Sequence, residues 1–176
     1  MSDHEHIDRI WAIIEKVGVC MLTTRFDVGM RARPLEARPD RASNRLLFMT
    51  DAHSPKREEM VRWPEVCLTF IDTAAKAYLS VSGTARIVDN DAQLRAITWR
   101  KNDVVWWPGG PNDPNACVLV VEPAIAELWD GPSSNAVAAY EFAKARATGT
   151  EPNLGQNRKV TVDLQERTQR HTPEIH

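Results

Sequence analysis

Three residues with anion-binding side chains stand close together between a short apolar run and a polar, helix-forming run. Thr50 follows the apolar residues 46–49, Ser54 comes four positions later, and Lys56 follows Pro55. Hydroxyl groups donate hydrogen bonds, and a lysine ammonium supplies a full charge. A serine directly before a proline also favours a helix start, where free N–H groups and a positive dipole suit a phosphate. The stretch is therefore either a phosphate site or only a capped surface helix after a strand.

The segment that precedes this stretch is rich in arginine. Residues 30–36 include Arg31 and Arg33, and Arg38 follows. Alternate side chains of a strand share one face, so Arg31 and Arg33 are expected to point the same way. One interpretation is a solvated sheet face. The other is that this strand pairs with residues 46–50 and directs its arginines toward the same anion.

Composition and motifs exclude several classes of function. The 176 residues carry a net charge of −2, with 43% hydrophobic and 26% charged residues, which is typical of a globular protein and unlike a nucleic-acid binder. Cys20, Cys67 and Cys117 lie in apolar runs without a metal-ligand spacing, so we expect reduced core thiols and no metal site. No hydrolase triad, GxGxxG or P-loop pattern occurs. No secretory signal or membrane-length apolar run occurs, so we expect a soluble, cytoplasmic protein.

The pattern of the chain predicts a mainly β domain with flanking helices. Helices are predicted at 4–17, 54–63, 90–101 and 133–148, and strands at 19–24, 30–36, 46–50, 65–72, 77–88, 116–121 and 124–129. Short turns imply antiparallel pairing, and about six strands could close into a barrel. Gly83 inside a strand predicts a bulge, or a close approach by a ligand or another backbone. We assign 1–150 to one domain with an N-terminal helix, and 151–176 to a tail that is partly disordered.

Five collinear segments resemble motifs of the pyridoxamine-phosphate-oxidase-like FMN-binding split barrels, in the branch called general stress proteins. They are GMRARPL from Gly29, FMTDAHSPK from Phe48, YLSVSGTARIV from Tyr78, WWPGGPNDP from Trp106 and AELWD from Ala126. Together they fall within residues 19–130, about the whole predicted barrel. The resemblance implies a six-stranded antiparallel split β-barrel that binds FMN, with FAD or F420 as alternative cofactors.

The same resemblance implies a homodimer with the cofactor at the subunit interface, and it assigns residues to the cofactor. Arg38 falls where the oxidases carry a pocket lysine. The phosphate ligands would be Arg33, Thr50, Ser54 and Lys56; the ring would meet the backbone near Pro34, Phe48 and Met49 and the side chains of Tyr78, Trp107 and Trp129.

Departures from the family pattern leave the activity open. Pro55 stands where the oxidases carry a second basic residue, and their C-terminal Trp-Arg-His pattern is missing, so we do not predict the vitamin B6 reaction. Three functions remain. The first is a flavin-dependent oxidoreductase of unknown substrate, in which Arg33 or Arg38 stabilises reduced, anionic flavin. The second is a non-catalytic flavin-binding or stress-response module. The third is a related split barrel that binds F420 or haem.

Overall fold

The computed structural model describes residues 3–130, 135–150 and 158–164. Its first element is helix α1 (Asp3–Val17), which matches the helix predicted at 4–17. The apolar face of α1 buries Ile10, Ile13 and Ile14 against the sheet. Gly18 ends the helix with φ +70, a left-handed conformation that glycine adopts without steric cost.

In the described part of the chain, eight strands form one antiparallel sheet. They are β1 (Val19–Phe26), β2 (Gly29–Glu36), β3 (Arg38–Asp40), β4 (Arg45–Asp51), β5 (Glu65–Asp72), β6 (Ala77–Val88), β7 (Ala116–Asp130) and β8 (Arg158–Asp163). Their order is β2-β1-β5-β6-β7-β4-β3, and β8 pairs with β7. The first half of β7 pairs with β4, and its second half pairs with β8.

The sheet closes on itself through the junction of β2 and β3. Only Ala37 separates these strands, and it is 1% exposed, so they are two halves of one run that turns from β1 to β4. The ring is thus a split barrel whose interior holds Leu22, Phe48 and Leu68. The predicted class is confirmed, but the predicted count of six strands is wrong. The sheet has eight because the bend at Ala37 divides one run and because β8 adds a strand.

Two details of the strands bear on the sequence prediction. β2 pairs with β1, as the short turn between these two predicted strands implies, and not with residues 46–50, so only the short β3 continues the arginine-rich segment along β4. Residues 116–130 form one strand and not two, since Pro123 is accommodated at an irregularity in the β6–β7 register beside Gly83. A proline that donates no ladder hydrogen bond is tolerated at such a bulge.

Gly83 accommodates another backbone. A Cβ atom at this position would lie 2.3 Å from the carbonyl oxygen of Glu122 and 3.0 Å from the Cα of Pro123. Of the two close approaches that the sequence allows, the structure therefore shows the one by a neighbouring strand.

We expect Gly83→Ala to destabilise the fold by about 1–3 kcal/mol, because the new methyl group meets backbone atoms that cannot rotate away. Thermal unfolding checks this. Gly29→Ala is the matched control, since its Cβ would meet only the Phe26 ring at 3.6 Å. A Gly83→Ala protein that melts like the Gly29→Ala protein would contradict the close approach.

Helices α2 (Lys56–Arg62) and α3 (Ala92–Thr98) are shorter than the sequence predicts. Helix α4 is described over Asn135–Thr148, and short 3₁₀ turns occupy Lys101–Val105 and Gly110–Asn112. α3 ends early because Trp99 takes an extended backbone conformation. Of the predicted tail 151–176, the structure describes residues 158–164, which include β8. The rest of that tail and the serines predicted to cap α4 lie outside the described residues. No helix of the described part is long and apolar enough to cross a membrane.

The three cysteines are free thiols, as expected, and two of them are buried. Burial raises the pKa of Cys20 to about 12 and that of Cys117 to about 11. These thiols therefore stay protonated at neutral pH. Among the described residues, no cluster of three or more His, Cys, Asp or Glu side chains could hold a metal ion.

Candidate functional site

A pocket of about 470 Å³ opens between β2, β4, the start of α2 and the 3₁₀ turn Lys101–Val105. Its lining combines apolar side chains, two indoles and several charged groups. The lining residues are Pro34, Leu35, Glu36, Arg38, Met49, Thr50, Asp51, Lys56, Asp103, Trp106 and Trp107. Five of the ten residues predicted to hold a cofactor line this pocket. They are Pro34 of β2, Met49 and Thr50 of β4, Lys56 of α2, and Trp107.

Lys56 is a half-buried cation without a bound acceptor. Its ammonium has no hydrogen-bond or ion-pair partner among the described residues. Burial lowers the pKa of Lys56 from its usual value of 10.5, and the nearby positive charge of Arg33 lowers it further, with partial compensation from Asp51. Burial therefore disfavours the charged form of Lys56. An anion bound beside the ammonium would favour that form, so Lys56 and the anion would stabilise each other.

Thr50 and Ser54 are positioned differently. Thr50, near the end of β4, is 3% exposed and lines the pocket beside Lys56. Ser54 lies next to the pocket, where its Oγ accepts the N–H of Lys56 at 3.3 Å. α2 starts at Lys56 with Pro55 as its N-cap, so the helix begins after the predicted serine cap.

Arg33 is bonded to a carboxylate that the sequence prediction missed. Its guanidinium donates to Glu59 at 2.8 Å and to the Oγ1 of Thr24 at 2.9 Å. Burial raises the pKa of Glu59, but the hydrogen bonds from Arg33 and Thr24 outweigh burial and lower it. Arg33 is not part of the pocket lining, although its positive charge lowers the pKa of Lys56. Glu59 follows Lys56 by three positions on α2, a helical spacing that could have indicated their proximity.

Arg38 is also paired, and it is buried. Its guanidinium donates to both carboxylate oxygens of Asp103, at 2.8 and 2.7 Å, and to the carbonyl of Thr98 at 2.7 Å. Arg38 is 8% exposed and Asp103 is 5% exposed. The two lie 65 positions apart, so no local pattern could have indicated the pair. Neither arginine that the sequence places near a cofactor therefore offers an unpaired charge.

The aromatic residues divide into pocket and core. Trp107 lines the pocket and packs against Trp99, with ring centroids 6.4 Å apart. Trp106 also lines the pocket but is 76% exposed. Phe48 is fully buried in the barrel and is not part of the lining, whereas Met49 lines the pocket.

Tyr78 and Trp129 lie together, but not at this pocket. They are directly opposite each other on β6 and β7, and Ile71 of β5 is opposite Tyr78. On β7 the pocket is at the other end, because Cys117 pairs with Thr50. The intervening strand has a contour length of about 40 Å. Within one chain, these two predicted site residues therefore do not meet the others.

Comparison with known proteins identifies the relatives of this chain. Residues 5–153 match the profile of the family described as pyridoxamine 5'-phosphate oxidase like. No curated protein matches the sequence significantly.

Solved structures share the fold. A candidate general stress protein 26 from Jannaschia sp. CCS1 superposes with a TM-score of 0.71 at 24% identity, covering 92% of this chain and 99% of that chain. The general stress FMN/FAD binding protein from Xanthomonas citri gives 0.66 at 23% identity, covering 74% and 92%. General stress protein 26 from Bacillus anthracis gives 0.61 at 22% identity, covering 69% and 91%.

Proposed function

Because this chain belongs to the pyridoxamine 5'-phosphate oxidase-like family, we propose that its pocket binds FMN and that the protein is a flavin-dependent oxidoreductase. The observation that carries the proposal is the half-buried ammonium of Lys56, which has no acceptor among the described residues. The name of the Xanthomonas citri protein, an FMN/FAD binding protein of the same fold, supports a flavin.

The chain's own residues would hold the phosphate as follows. Lys56 supplies a charge-assisted hydrogen bond, and Thr50, beside it, can donate its hydroxyl. Ser54 lies within two positions of Lys56 and can donate from the rim of the pocket. Arg33 contributes its positive charge but no direct hydrogen bond to the phosphate, because its guanidinium already donates to Glu59.

The apolar lining suits the ring of the flavin. Pro34, Leu35 and Met49 exclude water from one side of the pocket, and the indole of Trp107 extends that surface. When bound, a flavin supplies hydride and electron transfer. The protein binds and orients it, and keeps bulk water away from it.

A second candidate is a flavin-binding module without a dedicated substrate. It is favoured by the pairing of Arg33 with Glu59 and of Arg38 with Asp103, since neither guanidinium is free to stabilise a reduced, anionic ring. Stopped-flow reduction of the loaded protein by NADH or NADPH separates the two candidates. Reduction faster than that of free FMN supports the oxidoreductase, and reduction at the rate of free FMN supports the carrier.

Titration of the purified protein with FMN, FAD, F420 and haem tests the cofactor. We expect FMN to bind with quenched flavin fluorescence and a shifted visible spectrum. If F420 or haem binds and no flavin does, both flavin-based proposals are overturned.

The affinity for FMN should depend on pH through Lys56. The pKa of Lys56 is lowered below 10.5 in the free protein, and a bound phosphate would raise it. FMN affinity should therefore be highest where Lys56 is protonated, and should fall as pH rises through the lowered pKa. Isothermal titration across pH 7–10 measures this, with riboflavin as the control because it shares the ring. The same pH dependence for both ligands would contradict a Lys56–phosphate contact.

We further propose a homodimer in which the partner's surface contacts the cofactor. A row of side chains crosses three adjacent strands on the outside of the sheet: Ile71, Tyr78 and Trp129. Ile71 is 49% exposed and Tyr78 is 47% exposed, which is unusual for neighbouring large side chains that no partner covers. A second copy could bring Tyr78 and Trp129 to a pocket that their own strands do not reach.

Ile71→Asp should shift the protein from dimer to monomer, because a carboxylate in a desolvated interface is unfavourable. Sedimentation velocity measures the change, with Ile97→Asp as control, since Ile97 is 61% exposed on α3 and away from the row. A wild-type protein that sediments as a monomer at all concentrations would contradict the dimer.

A further inference from the structure

Asp103 connects two walls of the pocket. Its carboxylate accepts both guanidinium branches of Arg38 from β3, and also the backbone N–H of Arg100 at 2.7 Å. Its carbonyl accepts the N–H groups of Trp106 at 2.9 Å and Trp107 at 3.0 Å. One buried residue thus ties the tryptophan pair to the barrel wall.

The two tryptophans are held differently. Trp107 packs against Trp99 and the apolar cluster that includes Met49, so core packing also fixes it. Trp106 has no such ring contact among the described residues and is 76% exposed, although it lines the pocket. Its backbone N–H bond to the Asp103 carbonyl therefore holds its main chain beside the pocket.

We infer that Trp106 is the aromatic wall against which the flavin ring stacks, and that Asp103 is the residue that positions it. This inference rests on the proposed function. An exposed indole offers a large apolar face, and planar rings stack on such a face favourably. The bidentate fork of Arg38 gives Asp103 one orientation, because a planar guanidinium matches both carboxylate oxygens at once. The family resemblance assigned the side-chain contacts with the ring to Tyr78, Trp107 and Trp129, so a contact with Trp106 goes beyond it.

The first test uses riboflavin, which has the ring but lacks the phosphate and so does not depend on Lys56. Trp106→Phe should weaken riboflavin binding about three- to tenfold in a fluorescence titration. Trp63→Phe is the matched control, because Trp63 packs between Arg25 and Arg62 away from the pocket. If Trp106→Phe binds riboflavin as tightly as the Trp63→Phe control, the ring contact is wrong.

The second test is a double-mutant cycle that separates positioning from general stability. Asp103→Asn should weaken riboflavin binding in the presence of Trp106, and should have no further effect in a Trp106→Ala background, where no ring remains to be positioned. Arg38→Lys, which keeps the charge but loses the fork, should behave in the same way and serves if Asp103→Asn does not fold.

Losses that add fully in the cycle would overturn the positioning role, since Asp103 would then act independently of Trp106. Failure of the proposed function has a different signature. In that case the wild-type protein would bind no riboflavin or FMN at all, which overturns the inference together with its premise.

Discussion

Lys56→Ala is expected to weaken FMN binding about 10- to 100-fold while leaving riboflavin binding unchanged. A hydrogen bond to a charged group contributes about 1.5–3 kcal/mol, and each 1.4 kcal/mol corresponds to about tenfold in Kd. The ammonium is half-buried and has no hydrogen-bond or ion-pair partner among the described residues, so its donors are open to the phosphate. Fluorescence titration with both ligands measures the two dissociation constants.

Lys101→Ala is the matched control for the loss of one positive charge. Lys101 is exposed and is not part of the pocket lining, so both ligands should bind this variant as they bind the wild type. Equal loss of FMN and riboflavin affinity in Lys56→Ala would mean that the variant disturbs the ring site and that the phosphate assignment is wrong. Ser54→Ala should show the same selectivity for FMN with a smaller effect, because its hydroxyl is neutral.

Asp103→Ala should destabilise the fold by about 3–5 kcal/mol. Removal of one partner from a buried ion pair leaves the other charge desolvated and unpaired. Here the charge left behind is Arg38, which is 8% exposed and would retain only the Thr98 carbonyl and a 3.3 Å contact with Glu36. Urea denaturation gives the change in the free energy of unfolding.

An exposed ion pair provides the comparison. Asp27→Ala removes the partner of Arg62, whose pair at 2.7 Å is more than half exposed on both sides. Such pairs contribute at most about 1 kcal/mol, because water and salt screen the charges. If Asp103→Ala and Asp27→Ala lower stability by similar amounts, the Arg38–Asp103 pair is not the buried anchor that the structure shows.

Local patterns in the sequence were sufficient for most of the secondary structure. Alternating apolar residues and short turn signals predicted the β1–β2 hairpin and the strands β5 and β6. The structure confirms the bounds of β5 and β6, and it extends the hairpin strands by one or two residues at the turn. These features depend on neighbours a few residues away, so a single chain displays them. Gly83 belongs to the same class, since a glycine inside a strand indicates a bulge. Only the folded structure shows that the backbone of Glu122 and Pro123 fills the space beside Gly83.

The anion site that Thr50, Ser54 and Lys56 predict is local for the same reason, because a strand end and a helix start separated by a short turn must lie side by side. The structure places Thr50 and Lys56 in one pocket and Ser54 beside it. The sequence by itself thus identified the stretch around Lys56 and allowed two interpretations of it, a phosphate site or a plain capped helix. Only the folded chain shows that Lys56 has no acceptor among the described residues, and this favours the phosphate site.

Only the tertiary structure decided which charges in the site are free. Arg33 and Lys56 look equally available in the sequence, but Glu59 accepts from Arg33 and nothing in the described residues accepts from Lys56. Arg38 is likewise claimed by Asp103 from 65 positions away, and Trp129 is carried by β7 to the far end of the barrel. Ion pairs and strand crossings of this kind join residues that are distant in the chain. The packing of the whole barrel determines which residues pair, and a local periodicity in the sequence does not indicate these pairs.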